Sequence, residues 1–392
     1  MKKVLILGGG SGGAILANLL PKDEYDITLV DMNENHIFQP GYLWIAFKGE
    51  RKERFIRPIR ELIKPHINFV LDEVVGVDLE ERIVRTRNKS IDYDLLVIAT
   101  GARLRYDAVD GHEALLSEFG DFYSTPSNAE KLWRTLTRMR SGNFVIAVAD
   151  PGHKCPPGPN KGAFLASELF SKRGLADKVK VVLALPYSHS YSSKTIAEAI
   201  EPELREKGIE VRTFFTVDSI DTENRKILSL EGEEIEYGAA VVIPVHEGPG
   251  YEIKPEEVKD DSNFVRIDKY TCQINGYDDA FAIGDCTNVP TSKSGVTAHI
   301  QAEVVSDRIR GYDSIYTGRT NCPLMTDGKA LFVISDYENP PVPVRLSKFK
   351  RLMEDLFVAT YWSTIKSPEI WQPIFRAYFT ATDPSTIRSG GW

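Results

Sequence analysis

Cysteine is scarce: only Cys155, Cys272, Cys286 and Cys322 occur in 392 residues. They are too few and too scattered for a secreted disulfide framework, and no CxxC pair points to zinc. An excess of positive charge is also missing. The 48 Lys and Arg stand against 56 Asp and Glu, a net charge of -8. That excludes nucleic acid as a main partner, because phosphate binding needs a basic face. No uninterrupted apolar run approaches the roughly 18 residues of a spanning helix, so any membrane association is peripheral. Met1-Lys2-Lys3 opens like a secretory leader, but Val4 to Leu7 runs straight into glycines. No signal peptide is expected, and a chain not bound at a membrane is expected in the cytoplasm.

What is present suits a globular α/β protein. Hydrophobic residues make up 42% and charged residues 27%, so disorder is not the default. The apolar run Val4 to Leu7 reads as a buried strand, followed by a helix from about Ala14 to Leu20 and a second strand, Ile27 to Val30. Phe69 to Leu71, Val74 to Val77 and Ile83 to Arg87 read as a small antiparallel meander, and Leu95 to Ala99 as a closing strand. The order then returns. Phe144 to Ala149 and Val179 to Leu185 are strands around a helix from Gly162 to Leu169. Meander-like pieces follow at Val211 to Val217 and Ile227 to Leu230, and Ala240 to Val245 closes the unit. The repeat is one of architecture rather than of sequence. Phe281 to Asp285 is one more short strand, returning to the first unit.

Gly8, Gly10 and Gly13 satisfy GxGxxG, with Ser11 and Gly12 between them. The pattern follows a strand, opens a helix, and is followed about 20 residues on by Asp31 at a strand end. Gly8 permits the tight turn, Gly10 lets a pyrophosphate approach the backbone, and Gly13 lets helix and strand pack closely. The helix start offers unpaired N–H groups and partial positive charge. Asp31 is suited to accept from ribose hydroxyls. This alone does not separate NAD from FAD.

The matching place in the second unit reads Ala149-Asp150-Pro151-Gly152-His153-Lys154-Cys155-Pro156-Pro157-Gly158-Pro159. Only two glycines remain, Asp150 is repulsive to pyrophosphate, and the prolines remove N–H donors. NADH binding is read as lost here. With His153-Lys154-Cys155-Pro156-Pro157, Gly284-Asp285-Cys286 and Thr317 to Pro323 around Cys322, the chain resembles sulfide:quinone oxidoreductases and flavocytochrome c sulfide dehydrogenases. Ala99-Thr100-Gly101 and Phe281-Ala282-Ile283-Gly284-Asp285 resemble the paired motifs of two-dinucleotide-domain flavoproteins, in which the later Asp meets the ribityl or phosphate part of the flavin.

The resemblance implies two Rossmann-like FAD/NAD(P)-binding domains in tandem. Residues 1–110 plus 251–330 would bind FAD, residues 111–250 would carry the redox-cysteine loop, and 331–392 would form a C-terminal helical, membrane-associating segment. It implies that Cys155 and Cys322 face each other beside the flavin and cycle between disulfide, persulfide and thiol. Sulfide or polysulfide would be the substrate and quinone the acceptor. The thiolate, Cys322, would deliver two electrons to the flavin, while Lys154 lowers the pKa of Cys155. Thr297, at a helix start with His299 and Gln301, would lie near the flavin. No cysteine precedes Lys154, which removes the usual covalent anchors and implies FAD held non-covalently. His189 reads as a proton donor or as a surface loop histidine. Cys286 and Cys272 read as packing residues.

After Arg345 the chain becomes aromatic at helical spacing. Ser367-Pro368-Glu369 is a helix start, with Ser as N-cap. Trp362, Ile365, Trp371, Phe375 and Phe379 are expected at a membrane surface, with Lys348, Lys350 and Arg351 near anionic head groups. The same faces also suit a homodimer interface or the protein's own core. The rival functions are a type II NADH:quinone dehydrogenase and a flavin-binding subunit docking a cytochrome.

Overall fold

The computed structural model of the protein describes residues 1–326 and 328–387. The strand Lys2–Leu7 lies at the centre of a five-stranded parallel sheet. Tyr25–Asp31 and Asn68–Leu71 follow on one side, Leu95–Ile98 and Ala280–Ala282 on the other. Val4, Leu5, Ile6 and Leu7 are all buried, as expected for a strand covered on both faces. A second parallel sheet has Gly142–Val148 between Val179–Ala184 and Ala239–Ile243, with Glu210–Arg212 outermost. The chain is therefore α/β, with two Rossmann-like units.

Two strands differ from the sequence reading for one shared reason. Asn68–Leu71 and Glu210–Arg212 are not meander strands but the outer strands of the two parallel sheets. An edge strand is covered less completely than a central one, so its exposure resembles that of a half-buried antiparallel strand. The true meanders are Val74–Asp78, Ile83–Thr86 and Ser90–Asp92 in the first unit. In the second they are Val217–Asp221, Lys226–Ser229 and Glu234–Glu236.

A third, antiparallel sheet of Thr320–Met325, Ala330–Ser335 and Val342–Ser347 precedes the C-terminal helices Lys348–Lys366 and Pro368–Ala381. Pro368 occupies the first helical turn, but Ser367 makes no capping bond. It is Ser347 whose hydroxyl accepts from the Lys350 N–H, at 3.2 Å, and so caps the preceding helix.

The helix Lys348–Lys366 packs against the first helix, Ser11–Leu19. Ile365 is completely buried there and does not face outward, whereas Trp362, Trp371, Phe375 and Phe379 are half-buried, so the most exposed apolar residues lie elsewhere. The exposed ones are Phe349, Leu352, Leu356, Ile370 and Ile374. Arg351 does not face outward either; it is buried and grips Asp355 at 3.1–3.2 Å. Both sides of the long helix carry apolar residues, so periodicity alone did not say which side meets the protein.

Buried Asn18 stitches these helices together. Its amide donates to Leu62 O and Ile365 O, both at 2.8 Å, while its oxygen accepts from the Lys64 N–H at 2.9 Å. Removing it strands two buried backbone carbonyls and one half-buried N–H, each costing up to roughly 1–3 kcal/mol if unpaired. Asn18→Ala is therefore expected to lower unfolding stability by about 2–4 kcal/mol in total once the freed groups partly re-pair. It should also open the C-terminal helices to limited proteolysis; an unchanged denaturation midpoint and digestion pattern would count against this role.

Candidate functional site

The glycine loop, the Ala99 segment and the Gly284 turn converge at the carboxyl ends of the first sheet's strands. A Cβ on Gly13 would stand 1.9 Å from Gly8 O, so only glycine lets helix and strand approach this closely. A Cβ on Gly8 would stand 2.4 Å from Ala99 O, which brings the loop against Thr100 and Gly101. Gly12 lies against Ile283, and the Gly284 N–H donates to Gln301 Oε1 at 2.7 Å. Among the described residues nothing lies within 4 Å of a Cβ built on Gly10 or Gly101. The cradle is thus open on the side where a pyrophosphate would approach, and among the described residues the buried Gln301 Nε2 has no partner. These residues fit a dinucleotide cofactor.

Asp31 accepts from Gly9 N and Asn33 N, both at 2.7 Å. Burial raises its pKa, and these bonds oppose the rise. Ser11 is committed elsewhere. His36 Nδ1 lies 2.8 Å from Gly9 O, which only accepts, so that nitrogen carries the proton. Burial holds the ring's pKa down to about 4, so Nε2 is a neutral acceptor and takes the Tyr361 hydroxyl proton at 2.7 Å. Ser11 Oγ then donates to the Tyr361 oxygen at 2.7 Å. A tyrosine from the C-terminal segment is thereby fastened to the glycine loop, which no local sequence signal announced.

The second unit is built differently at the matching point. In the first unit Gly8 to Gly10 alone separate the strand Lys2–Leu7 from the helix Ser11–Leu19. In the second, Ala149 to Pro157 intervene between Gly142–Val148 and the helix Gly158–Lys172. Asp150 Oδ1 already takes the Gly152 N–H at 2.6 Å. The longer turn carries Cys155 in a left-handed backbone conformation, φ 55°. For a residue other than glycine this strain costs about 1–3 kcal/mol and must be held by its surroundings. Cys155 N donates to Lys293 O at 2.8 Å, and Gly158 N donates to Cys155 O at 2.6 Å.

Cys322 lies buried on the strand Thr320–Met325, which packs against the helix Gly158–Lys172. Ser292 Oγ is 3.4 Å from its sulfur. Successive residues, Ser292 and Lys293, therefore touch the two cysteines, and each thiol lies within electrostatic reach of the other. Thr297, expected at the cofactor, donates to Ser292 O at 2.7 Å and so braces this loop.

Burial raises the Cys155 thiol pKa, and the chief opposing influence is the Lys161 ammonium. Lys154, expected in this role, donates its Nζ to Gln39 Oε1 at 2.8 Å, and its charge partners are Asp285 first, then Asp121 and Cys155. Lys161 is buried and lies in the first turn of its helix, where both desolvation and the helix dipole oppose a cation. Yet its pKa is raised, because the Cys155 and Glu354 side chains outweigh burial. Glu354, buried on the C-terminal helix, has its own pKa raised by burial and restrained by Lys161 and then Arg351. Tyr191 and Tyr123 complete the enclosure, and Tyr123 donates to Cys155 O at 3.4 Å. The sequence reading passed over Lys161, Glu354 and both tyrosines. Lys161 was visible six residues after Cys155, in the helix that follows the turn.

Asp285 has its pKa raised by burial and lowered by Lys293 and Lys154. His189 is half-buried in the bend after Val179–Ala184, with Nδ1 2.8 Å from Ser188 Oγ. Burial pushes the Cys286 thiol up to about 12 and raises that of Cys272, so both are protonated packing residues.

Cys155 and Cys322 thus meet successive residues of one loop next to the open dinucleotide cradle. The pyridine nucleotide-disulphide oxidoreductase family is matched over residues 2–303. Sulfide:quinone oxidoreductase from Dictyostelium discoideum is 30% identical, covering 83% of this chain and 75% of that one. Its mitochondrial counterpart in Mus musculus is 26% identical across 96% and 87% of the two chains. The Aquifex aeolicus sulfide:quinone oxidoreductase structure shares the fold, with TM-score 0.84, 20% identity and coverage of 97% and 95%. Type II NADH:quinone oxidoreductases are among the relatives as well. The chain belongs to the pyridine nucleotide-disulphide oxidoreductases and, within these flavin-dependent enzymes, to the sulfide:quinone oxidoreductase family.

If Lys161 is the cation that stabilises the Cys155 thiolate, Lys161→Met raises the thiol's pKa further. Iodoacetamide labelling of Cys155 in the reduced protein, followed against pH, should then move its midpoint upward by roughly one unit or more. Lys154→Met should move that midpoint by less. Equal shifts in both variants, or none in Lys161→Met, would remove Lys161 from this role.

Proposed function

We propose that the chain oxidises sulfide through Cys155 and Cys322 and passes two electrons, by way of non-covalently held FAD, to a membrane quinone. The observation that carries this reading is the convergence of both cysteines on Ser292 and Lys293, next to the dinucleotide cradle. Gly10, Gly12, Gly13, Asp31, Thr100, Gly101, Asp285 and Thr297 are the residues that would hold FAD. When bound, FAD supplies a two-electron carrier between sulfur and quinone.

The protein's own groups account for the sulfur step. Hydrosulfide attacks a Cys155–Cys322 disulfide; one sulfur becomes a persulfide and the other leaves as a thiolate, conserving charge. Lys161 stabilises the thiolate, and when the pair is oxidised its charge is still answered by Glu354. The ammonium therefore never stands alone in a buried site. Net, one hydrosulfide, one proton and one quinone give one sulfane sulfur and one quinol. The exposed Phe349, Leu352, Leu356, Ile370 and Ile374 would meet the lipid from which quinone comes. No described helix is long and apolar enough to cross a membrane, so contact would be by this face.

The long second turn and the Asp150 to Gly152 bond favour sulfide over NADH as the reductant. Anaerobic mixing tests both. Sulfide should bleach the flavin absorbance, and a short-chain quinone should restore it. Cys155→Ser and Cys322→Ser should each slow sulfide bleaching by at least a hundredfold, about 3 kcal/mol of barrier. Should both variants bleach at the wild-type rate, the cysteine route is wrong; rapid bleaching by NADH would favour the nicotinamide reading.

A further inference from the structure

Six residues of the helix Lys348–Lys366 form one exposed stripe: Phe349, Leu352, Leu356, Ala359, Ser363 and Lys366, spaced by three and four. The stripe is apolar at its start and ends on a cation. At that end a surface cleft of about 660 Å³ opens, lined among others by Arg57, Arg60, Trp362, Lys366 and Ser367. The Arg57 guanidinium lies over the Trp362 ring, 5.4 Å from its centre. Arg57 donates to Glu53 O and Ile56 O, and Arg60 to Phe69 O, all backbone carbonyls. Among the described residues none of the three cations is ion-paired with a carboxylate. Among the described residues Glu61 is the only acid lining the cleft, so three positive charges face one negative.

This local excess runs against a chain of net charge -8. Such a protein is repelled by an anionic bilayer unless a cationic group leads the approach. From the charge complementarity and the continuity of the stripe, we infer that the cleft seats the phosphate of an anionic phospholipid headgroup. Arg57, Arg60 and Lys366 would contact the phosphate while the acyl chains lie along the apolar residues. The bidentate fork of arginine suits phosphate oxygens, and Trp362 suits the interface between head group and hydrocarbon. The inference rests on the proposed membrane face and adds its lipid preference.

Vesicle flotation tests it, using holoenzyme with neutral phosphatidylcholine vesicles and with vesicles containing phosphatidylglycerol. Wild type should bind the anionic vesicles roughly ten- to hundred-fold more tightly, with the preference lost at high salt. Arg57→Gln/Arg60→Gln/Lys366→Gln should keep its binding to neutral vesicles and its turnover with a short-chain quinone, yet lose the preference. Millimolar inorganic phosphate should not displace the wild type; displacement would show a free-phosphate site and overturn the headgroup assignment. A triple variant that still prefers anionic vesicles would also overturn it, as would wild type binding both vesicles equally, which leaves the membrane face standing. Wild type binding neither vesicle would remove the membrane face and the headgroup site together.

Discussion

An ammonium group taken out of water costs several kcal/mol unless an anion accompanies it. Lys161 meets this constraint in the first turn of its helix, where the dipole adds to the cost. Its charge persists because the Cys155 thiol and the Glu354 carboxyl both face it. Cys155 comes from the lengthened turn of the second unit, and Glu354 from the C-terminal helix. Cys322, within reach of the same cation, comes from the third sheet. Three separate parts of the chain thus meet around one buried charge.

The same parts are tied to the cofactor cradle by other bonds. Asn18 joins the first helix to Ile365, and Ser11, Tyr361 and His36 join the glycine loop to the C-terminal helix. Cys155 hangs from Lys293 O, immediately before the helix carrying Thr297 and Gln301. The strained φ of Cys155 is affordable only in such a setting, where the backbone on both sides is hydrogen-bonded. The second unit keeps the sheet of a dinucleotide-binding fold while its turn is longer and carries Cys155.

Much of the fold was legible because its signals are local. A glycine turn, a continuous apolar strand and an acid about 20 residues later act within one strand–helix–strand unit. The exchange of glycines for Cys155 and its prolines was equally plain. The outer strands Asn68–Leu71 and Glu210–Arg212 were misread because partial cover at a sheet edge mimics a meander. Lys161 and Glu354 are separated by most of the second half of the chain, and only tertiary packing makes them neighbours. Ile365 and Arg351 looked like surface residues because helical spacing defines a face without saying what covers it.

The central claim is that Cys155 and Cys322 are redox partners. It is tested most directly by non-reducing digestion and mass spectrometry of the air-oxidised protein, after free thiols are alkylated. The account predicts one linked species, the Cys155 peptide joined to the Cys322 peptide directly or through one additional sulfur atom. Recovery of both as separate alkylated peptides, or linkage of either to Cys272 or Cys286, would contradict it.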